Sequence, residues 1–258
     1  MIVIIMAGGL GKRMESNLPK PLHMVTNPIS LDIQYPMLIH VIMTAVKLNP
    51  KKIFIIVGRF RDIISNTINK YIQQGLITNP DIIEYQDQEF ALGTGHAIKC
   101  CLPQINFYQN EKVLILSGDV PLISFETLYN LSSISNTNKL LITELSNPYG
   151  CGRILLNESN NIVGIKEEKD CNEEEKQIKL VNCGIYIITV SDLINLIPQI
   201  SNNNKSKEYY LTDIIYLMIA NNIPIDTFIL EKNLQWEIKN VNTKKDLEDL
   251  NLFIENQI

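Results

Sequence analysis

The residues with the most capacity for chemistry stand directly behind short apolar runs. Met6-Ala7-Gly8-Gly9-Leu10-Gly11-Lys12-Arg13-Met14 closes the apolar opening of the chain, and Pro19-Lys20-Pro21 follows shortly after. Glycines after a buried strand let backbone N–H groups turn inward and approach a phosphate closely. Lys12, Arg13 and Lys20 add positive charge to that loop, and Arg13 is one of only four arginines in the chain. The spacing is neither GxGxxG nor GxxxxGK[ST]. A tight turn with exposed basic side chains is the competing reading.

Two further constellations repeat this placement. Ser117-Gly118-Asp119-Val120-Pro121 follows the apolar run 113–116. An Asp fixed there between Gly and Pro is placed to hold a divalent ion, because Mg²⁺ is commonly bound by one or two protein oxygens plus substrate phosphates. The alternative is an Asp turn or helix cap near Ser124. In Gln88-Glu89-Phe90-Ala91-Leu92-Gly93-Thr94-Gly95-His96 the glycines open a helix and offer another surface of backbone donors. The Gln88 amide both donates and accepts, which suits a pyrimidine edge. An amide can flip, so fixed backbone groups must separate uracil from cytosine. His96 falls inside the expected helix and reads as a capping or packing residue.

The elements that must position these loops alternate. Strands are expected at 2–6, 52–57, 82–85 and 113–116, and helices at 36–48, 62–74 and 94–102, with Leu38, Ile42 and Ala45 on one side of the first. That β-α-β order implies a mostly parallel three-layer sheet, in which ligands bind at the carboxyl ends of strands. The second half changes character. Strands at 153–156, 162–166, 182–189 and 225–230 and helices at 192–197, 211–220 and 243–255 read as α+β material, with a charged, solvated excursion at 167–179.

Composition narrows the classes. A length of 258 residues suits one large α/β domain or two small lobes, and 45% hydrophobic with 20% charged residues excludes a largely disordered chain. A net charge of −5 argues against broad binding of nucleic acid. No apolar run reaches a membrane span, and the opening MIVIIMAGG lacks the basic region of a signal peptide. No membrane partner and a cytoplasmic location are therefore expected. Five cysteines without CxxC fit free thiols in a reducing compartment, and three scattered histidines give no zinc pattern.

Taken in order, these segments resemble the uridylyltransferase domain of the bacterial bifunctional N-acetylglucosamine-1-phosphate uridylyltransferases, a branch of the sugar nucleotidyltransferase family. The similarity continues through Asn147-Pro148-Tyr149-Gly150-Cys151-Gly152-Arg153 and Gly164-Ile165-Lys166-Glu167-Glu168-Lys169-Asp170. It then reaches Asn182-Cys183-Gly184-Ile185, Glu208-Tyr209-Tyr210-Leu211-Thr212-Asp213 and Val241-Asn242. It covers nearly the whole chain. The resemblance implies a Rossmann-like fold of the glycosyltransferase-A type and one nucleotidyltransferase domain over 1–258, its nucleotide half 1–120 and its sugar half 121–258. The implied reaction is Mg²⁺-dependent transfer of uridylyl from UTP to N-acetylglucosamine 1-phosphate, releasing pyrophosphate. The resemblance assigns nucleotide contacts to Ala7, Gly8, Gln88, Gly93 and Thr94, and phosphate charge to Arg13 and Lys20. It assigns metal ligands to Asp119 and Asn242, and sugar contacts to Gly152, Glu167 and Asn182. A related enzyme for another sugar or base, and a catalytically silent regulatory subunit on the same fold, are the alternatives.

Several positions depart from the family pattern. Gly8 and Lys12 replace an alanine and a threonine, the segment 26–35 is longer than expected, Cys183 replaces a threonine, and Ser117 stands where some members carry an aromatic residue. No hexapeptide periodicity of a β-helix appears, so no acetyltransferase activity is expected, and a monomer or small homo-oligomer is expected rather than a trimer.

Overall fold

The computed structural model describes residues 1–9, 11–133 and 137–257, and Leu10 of the glycine loop lies outside the described residues. The chain runs through β1 (Ile2–Met6), β2 (Met24–Asn27), β3 (Ser30–Pro36), α1 (Met37–Lys47), β4 (Ile53–Val57), α2 (Arg61–Gln73) and β5 (Ile83–Asp87). It continues through α3 (Thr94–Ile105), β6 (Lys112–Ser117), α4 (Phe125–Ser133), β7 (Asn138–Glu144), β8 (Arg153–Leu156) and β9 (Ile162–Lys166). It finishes with β10 (Leu180–Thr189), α5 (Val190–Leu196), α6 (Asp213–Ala220), β11 (Ile225–Ile229) and α7 (Lys244–Gln257). These elements fall into two compact units. An amino-terminal unit comprises Ile2–Ala91, Leu116–Tyr129 and Trp236–Ile258, and a central unit comprises Met1, Leu92–Ile115 and Asn130–Gln235.

The amino-terminal unit carries the parallel Rossmann-like sheet that the β-α-β alternation implies. β4 pairs in parallel with β1 on one edge, Val3 opposite Ile53, and with β5 on the other, Ile53 opposite Ile83. Every residue of Ile53-Phe54-Ile55-Ile56-Val57 is buried. A strand apolar on both faces must be covered on both, and the crossovers α1 and α2, which step in one direction along β1-β4-β5, cover one of them. α1 starts at Pro36, whose fixed φ suits a helix entry, and buries Leu38, Ile42 and Ala45. A second small core joins Met14, Val25, Met37, Leu122, Val241, Leu250 and Ile254, with Trp236, Leu247 and Phe253 packed against it. It seats α7, although α7 is the last element of the chain.

The central unit is mainly antiparallel, as its sequence character suggests. β10 pairs antiparallel with β7, with β8 and with the Lys112–Ile115 portion of β6, while β11 lies parallel to β7. β8 and β9 form a hairpin. The register between β10 and β7 shifts between Asn182 and Tyr186. Such an irregularity bends a strand and re-aims side chains beside it.

Three elements had no clear sequence signal. The extra segment 26–35 forms the β2–β3 hairpin, in which Val25 faces Tyr35 and the Asn27 side chain accepts from the Ile29 N–H at 3.0 Å. Its apolar residues Leu31 and Ile33 alternate on the exposed side, which hides the usual buried period. β7 has only a short apolar centre. Its polar start is buried because Asn138 donates to Asp192 at 2.8 Å and accepts from the Thr189 N–H at 2.9 Å. α4 is short, and the Ser124 hydroxyl accepts from the Thr127 N–H at 3.0 Å at its start. Among the described residues no helix is long and apolar enough to cross a membrane.

The small core anchors α7 through Leu250, Ile254, Leu247 and Phe253. Leu250→Ala should therefore lower unfolding free energy by about 2–5 kcal/mol, measured by urea denaturation. A loss under half a kilocalorie would mean that α7 is not held by this packing.

Candidate active site

The amino-terminal unit gathers the glycine loop, Lys20, Asp119 and Asn242. The Ala7 N–H donates to the Ile56 carbonyl at 2.9 Å, which carries β1 to its end before the loop begins. Gly118 donates from its backbone N–H to the Met6 carbonyl at 3.0 Å, so the loop after β6 lies against the loop after β1. Gly11 adopts φ +58°, and a β-carbon there would come within 2.8 Å of the Lys20 Cβ. Only glycine combines that backbone with that approach. The loop thereby folds onto Lys20, whose own segment is stiffened by Pro19 and Pro21.

Five polar side chains then converge. The Lys20 ammonium forms an ion pair with Asp119 and donates to Asn242 Oδ1 at 3.0 Å. Arg13 donates to the same Asn242 oxygen at 2.9 Å. Ser117 donates its hydroxyl proton to Asp119 Oδ1 at 2.6 Å. The backbone is held as firmly as the side chains. The Val241 N–H donates to the Asp119 carbonyl at 3.1 Å. Asp246 accepts from the N–H groups of Asn242 and Thr243 at 2.9 and 2.8 Å, and Thr243 Oγ1 accepts from the Asp246 N–H at 3.1 Å. This reciprocal cap fixes the start of α7. An anionic and a neutral oxygen thus meet on one cationic centre. The donor set is all oxygen, which suits a hard divalent cation shared with phosphates.

Gly8 and Gln88 also meet in this unit. A β-carbon on Gly8 would lie 3.2 Å from Gln88 Oε1 and 3.1 Å from the Gly58 nitrogen. A side chain on Gly8 would therefore crowd both the Gln88 amide and the backbone after β4.

The central unit carries Gly93, Thr94, Gly152, Glu167 and Asn182. A β-carbon on Gly152 would lie 3.7 Å from the Asn182 Cβ and 3.8 Å from the Glu167 Cδ, so these three are neighbours. Glu167 accepts a hydrogen bond from the Thr212 hydroxyl at 2.9 Å. Burial pushes the Glu167 carboxyl up, and Asp213, Asp170 and Glu208 push in the same direction against the Thr212 bond. Asn182 donates to the Tyr186 hydroxyl at 2.6 Å and accepts from the Gly184 N–H at 2.9 Å. Gly93, at φ +113°, leaves no room for a side chain, since a β-carbon would meet the Tyr209 carbonyl at 2.5 Å. Thr94 Oγ1 accepts from the Leu211 N–H at 2.9 Å and keeps its own proton to donate.

Arg153 and Glu168 are the pair that sequence reasoning did not single out. Arg153 is 1% exposed, and its Nη2 lies 2.6 Å from Glu168 Oε2. Glu168 also accepts from the Gly150 N–H at 3.0 Å, and Arg153 donates to the Cys151 carbonyl. One ion pair therefore holds the turn before Gly152 against the segment that carries Glu167. An arginine within a strand of otherwise apolar residues was the available signal. The stretch 167–179 is correspondingly not all solvated: Cys171 is buried, and Glu167 and Glu168 are engaged. His96, in α3, packs beside Tyr209 and Cys100.

The chain matches the MobA-like NTP transferase domain over residues 3–150. It is 46% identical over 255 residues to a protein of Acanthamoeba polyphaga mimivirus named "Probable UDP-N-acetylglucosamine pyrophosphorylase", with 96% of this chain and 94% of that one covered. It is 38% identical over 256 residues to the "Bifunctional protein GlmU" of Legionella pneumophila strain Philadelphia 1, with 96% of this chain covered. The match spans about half of that bacterial protein, 51% of its length. In fold it is similar to a UDP-glucose pyrophosphorylase solved with UDP-glucose, at a TM-score of 0.75 and 17% identity, covering 100% of this chain and 99% of that one.

Asp213 gives the central unit a pH dependence. Burial and then the nearby Asp170 carboxylate push its carboxyl up to about 6. The folded state holds this proton more tightly than the unfolded state. The contribution is complete below about pH 4 and is lost as pH rises through about 6. Asp213→Asn should therefore raise the unfolding temperature above pH 7 by about 2–4 °C, the equivalent of about 1 kcal/mol after solvent screening. The gain should vanish near pH 4. Thermal unfolding across this range checks it, and a variant less stable at pH 8 contradicts it.

Proposed function

The chain belongs to the MobA-like NTP transferase family, and from that premise we propose that it transfers uridylyl from UTP to N-acetylglucosamine 1-phosphate, releasing pyrophosphate. The observation that carries this reading is the convergence of Asp119, Asn242, Lys20 and Arg13 behind the glycine loop. The mimivirus relative at 46% identity supports the choice of sugar nucleotide through its name.

The residues fit the chemistry. The backbone after β1, at Ala7 and Gly8, with Gln88, receives the uracil and ribose, and Gly93 and Thr94 add donors from the start of α3. Asp119 and Asn242 would hold Mg²⁺, which when bound would offset charge on the phosphates. Their oxygens already converge on one cation, the Lys20 ammonium, which supports a site for positive charge at this point. Gly152 offers a close backbone approach for the sugar, while Glu167 and Asn182 bond its hydroxyls and acetamido group.

The nucleophile is a phosphate oxygen of the sugar 1-phosphate. A phosphate monoester has its second pKa near about 6 and is largely ionised at neutral pH, so no protein base has to take a proton. That oxygen attacks the α-phosphorus of UTP in line, and the bond to pyrophosphate breaks. Arg13 and Lys20 meet the charge that builds on the leaving group, a contribution that is greatest in the transition state. Positioning supplies most of the remainder.

Purified protein should release pyrophosphate from UTP and N-acetylglucosamine 1-phosphate in the presence of Mg²⁺. Asp119→Ala should lower turnover by about 10²-fold or more with unchanged circular dichroism. Lys20→Ala and Arg13→Ala should lower kcat more than they raise KM. Near-normal Mg²⁺-dependent turnover by the Asp119 variant would falsify the metal assignment.

The sugar assignment has its own measurement. Asn182→Ala should raise KM for N-acetylglucosamine 1-phosphate by about tenfold, the loss of one hydrogen bond, and leave KM for UTP nearly unchanged. Equal use of glucose 1-phosphate and N-acetylglucosamine 1-phosphate by the unmodified protein would overturn the acetamido reading.

A further inference from the structure

Cys151 immediately precedes Gly152, and Cys183 immediately follows Asn182. Both are free thiols. β8 and β10 run antiparallel with Val181 opposite Arg153, and the Asn182 N–H donates to the Gly152 carbonyl at 2.9 Å. That bond makes Asn182 and Gly152 a hydrogen-bonded pair. The next residues outward are Cys183 and Cys151, and there the ladder gives way, because the Cys151 N–H turns to the Pro148 carbonyl at 3.1 Å. The two cysteines that flank this one bond lie near the span that a disulfide bridges. The two thiols are close enough to influence each other's charge.

We propose that Cys151 and Cys183 form a modification site for peroxide-class oxidants, closing into a reversible disulfide that joins the two strands beside the sugar position. Cys151 reacts first, because burial pushes both thiols up but only at Cys151 does a cation, Arg153, act against it. The thiolate attacks one peroxide oxygen and the O–O bond breaks. Hydroxide leaves and is protonated to water, and the sulphur becomes a sulfenic acid. The Cys183 thiol gives up its proton and attacks that sulphur. The S–OH bond breaks, a second water leaves and the S–S bond forms. Two thiols lose two electrons in all, and one peroxide is reduced to two waters.

The environment sets the rate. Burial holds both thiols up, and the Glu167 and Glu168 carboxylates act in the same direction on Cys151 against Arg153. Thiolate is scarce at neutral pH, so closure is slow there and accelerates as pH rises. The consequence for catalysis rests on the proposed function. Closure sets the separation of Cys151 and Cys183 to that of a disulfide and shifts Gly152 and Asn182 from their present spacing, which weakens binding of the sugar phosphate without touching the glycine loop.

The test treats the full chain with hydrogen peroxide and reads intact mass, peptide map and kinetics. The expected product has lost two hydrogens, contains one peptide pair joined through Cys151 and Cys183, and reverts with dithiothreitol. Its KM for N-acetylglucosamine 1-phosphate should be raised at least threefold, with KM for UTP unchanged. Cys183→Thr, with the residue the family carries there, should form no such link. A link at Cys100 and Cys101, or sulfinic acid at Cys151 without a link, overturns the proposal. A correct link without a change in sugar KM overturns its catalytic half. Reduced protein that turns over no sugar phosphate overturns the proposed function instead, and the mass reading still decides the thiol pair.

Discussion

The Lys20 ammonium is the constraint on which the amino-terminal unit depends. Asp119 and Asn242 are 99 and 222 residues away from it in sequence, yet both give it an oxygen. The side chains of Lys20 and Asp119 are only 17% and 14% exposed. Neither charge can lose its partner cheaply, because a buried charge left alone costs several kcal/mol. Three chain segments are therefore committed to one point: the loop after β1, the end of β6 and the start of α7. The packing serves that commitment. Met14 from the loop, Leu122 from beyond Asp119 and Val241 beside Asn242 all enter the same small core, so the apolar contacts and the ion pair select the same arrangement.

The central unit solves a similar problem with an arginine. Arg153 lies inside a strand, where its planar fork can bond Glu168 and the Cys151 carbonyl together. Lysine has the charge without the fork and could not hold both. The result is a rigid turn whose last residue, Gly152, faces Glu167 and Asn182. Those two polar groups differ in how they are tuned. Glu167 sits among Asp213, Asp170 and Glu208, which raise its affinity for a proton. Asn182 is neutral, and its orientation is set by Tyr186 and Gly184 alone.

How much of this could be read from residues alone follows from the range of each interaction. The βαβ alternation was readable because strand burial and helix periodicity are local patterns, and β1, α1, β4, α2 and β5 occupy nearly the expected positions. The glycine loop and Asp119 were readable because position at a strand end restricts what a residue can do. The Arg153–Glu168 pair was not, since nothing within a few residues of Arg153 announces its partner. The β2–β3 hairpin was not, because its apolar residues face outward. β7 was not, because its buried Asn138 and Lys139 look like surface residues until Asp192, Thr189 and the Leu131 carbonyl are brought to them. For Asn138 the deciding contacts lie 54 and 51 residues away in sequence.

The departures from the family pattern are local exchanges of one restraint for another. At Gly8, where the resemblance puts an alanine, a methyl group would crowd the Gln88 amide. At Ser117, where the resemblance puts an aromatic residue in some members, the hydroxyl bonds Asp119 directly and helps hold the carboxylate that Lys20 pairs. At Cys183 a threonine hydroxyl is lost beside Asn182. The amide does not depend on it, because its oxygen is held by the Gly184 N–H and its nitrogen by the Tyr186 hydroxyl, both further along β10. A thiol can therefore occupy position 183 without releasing Asn182, whose backbone N–H stays on the Gly152 carbonyl.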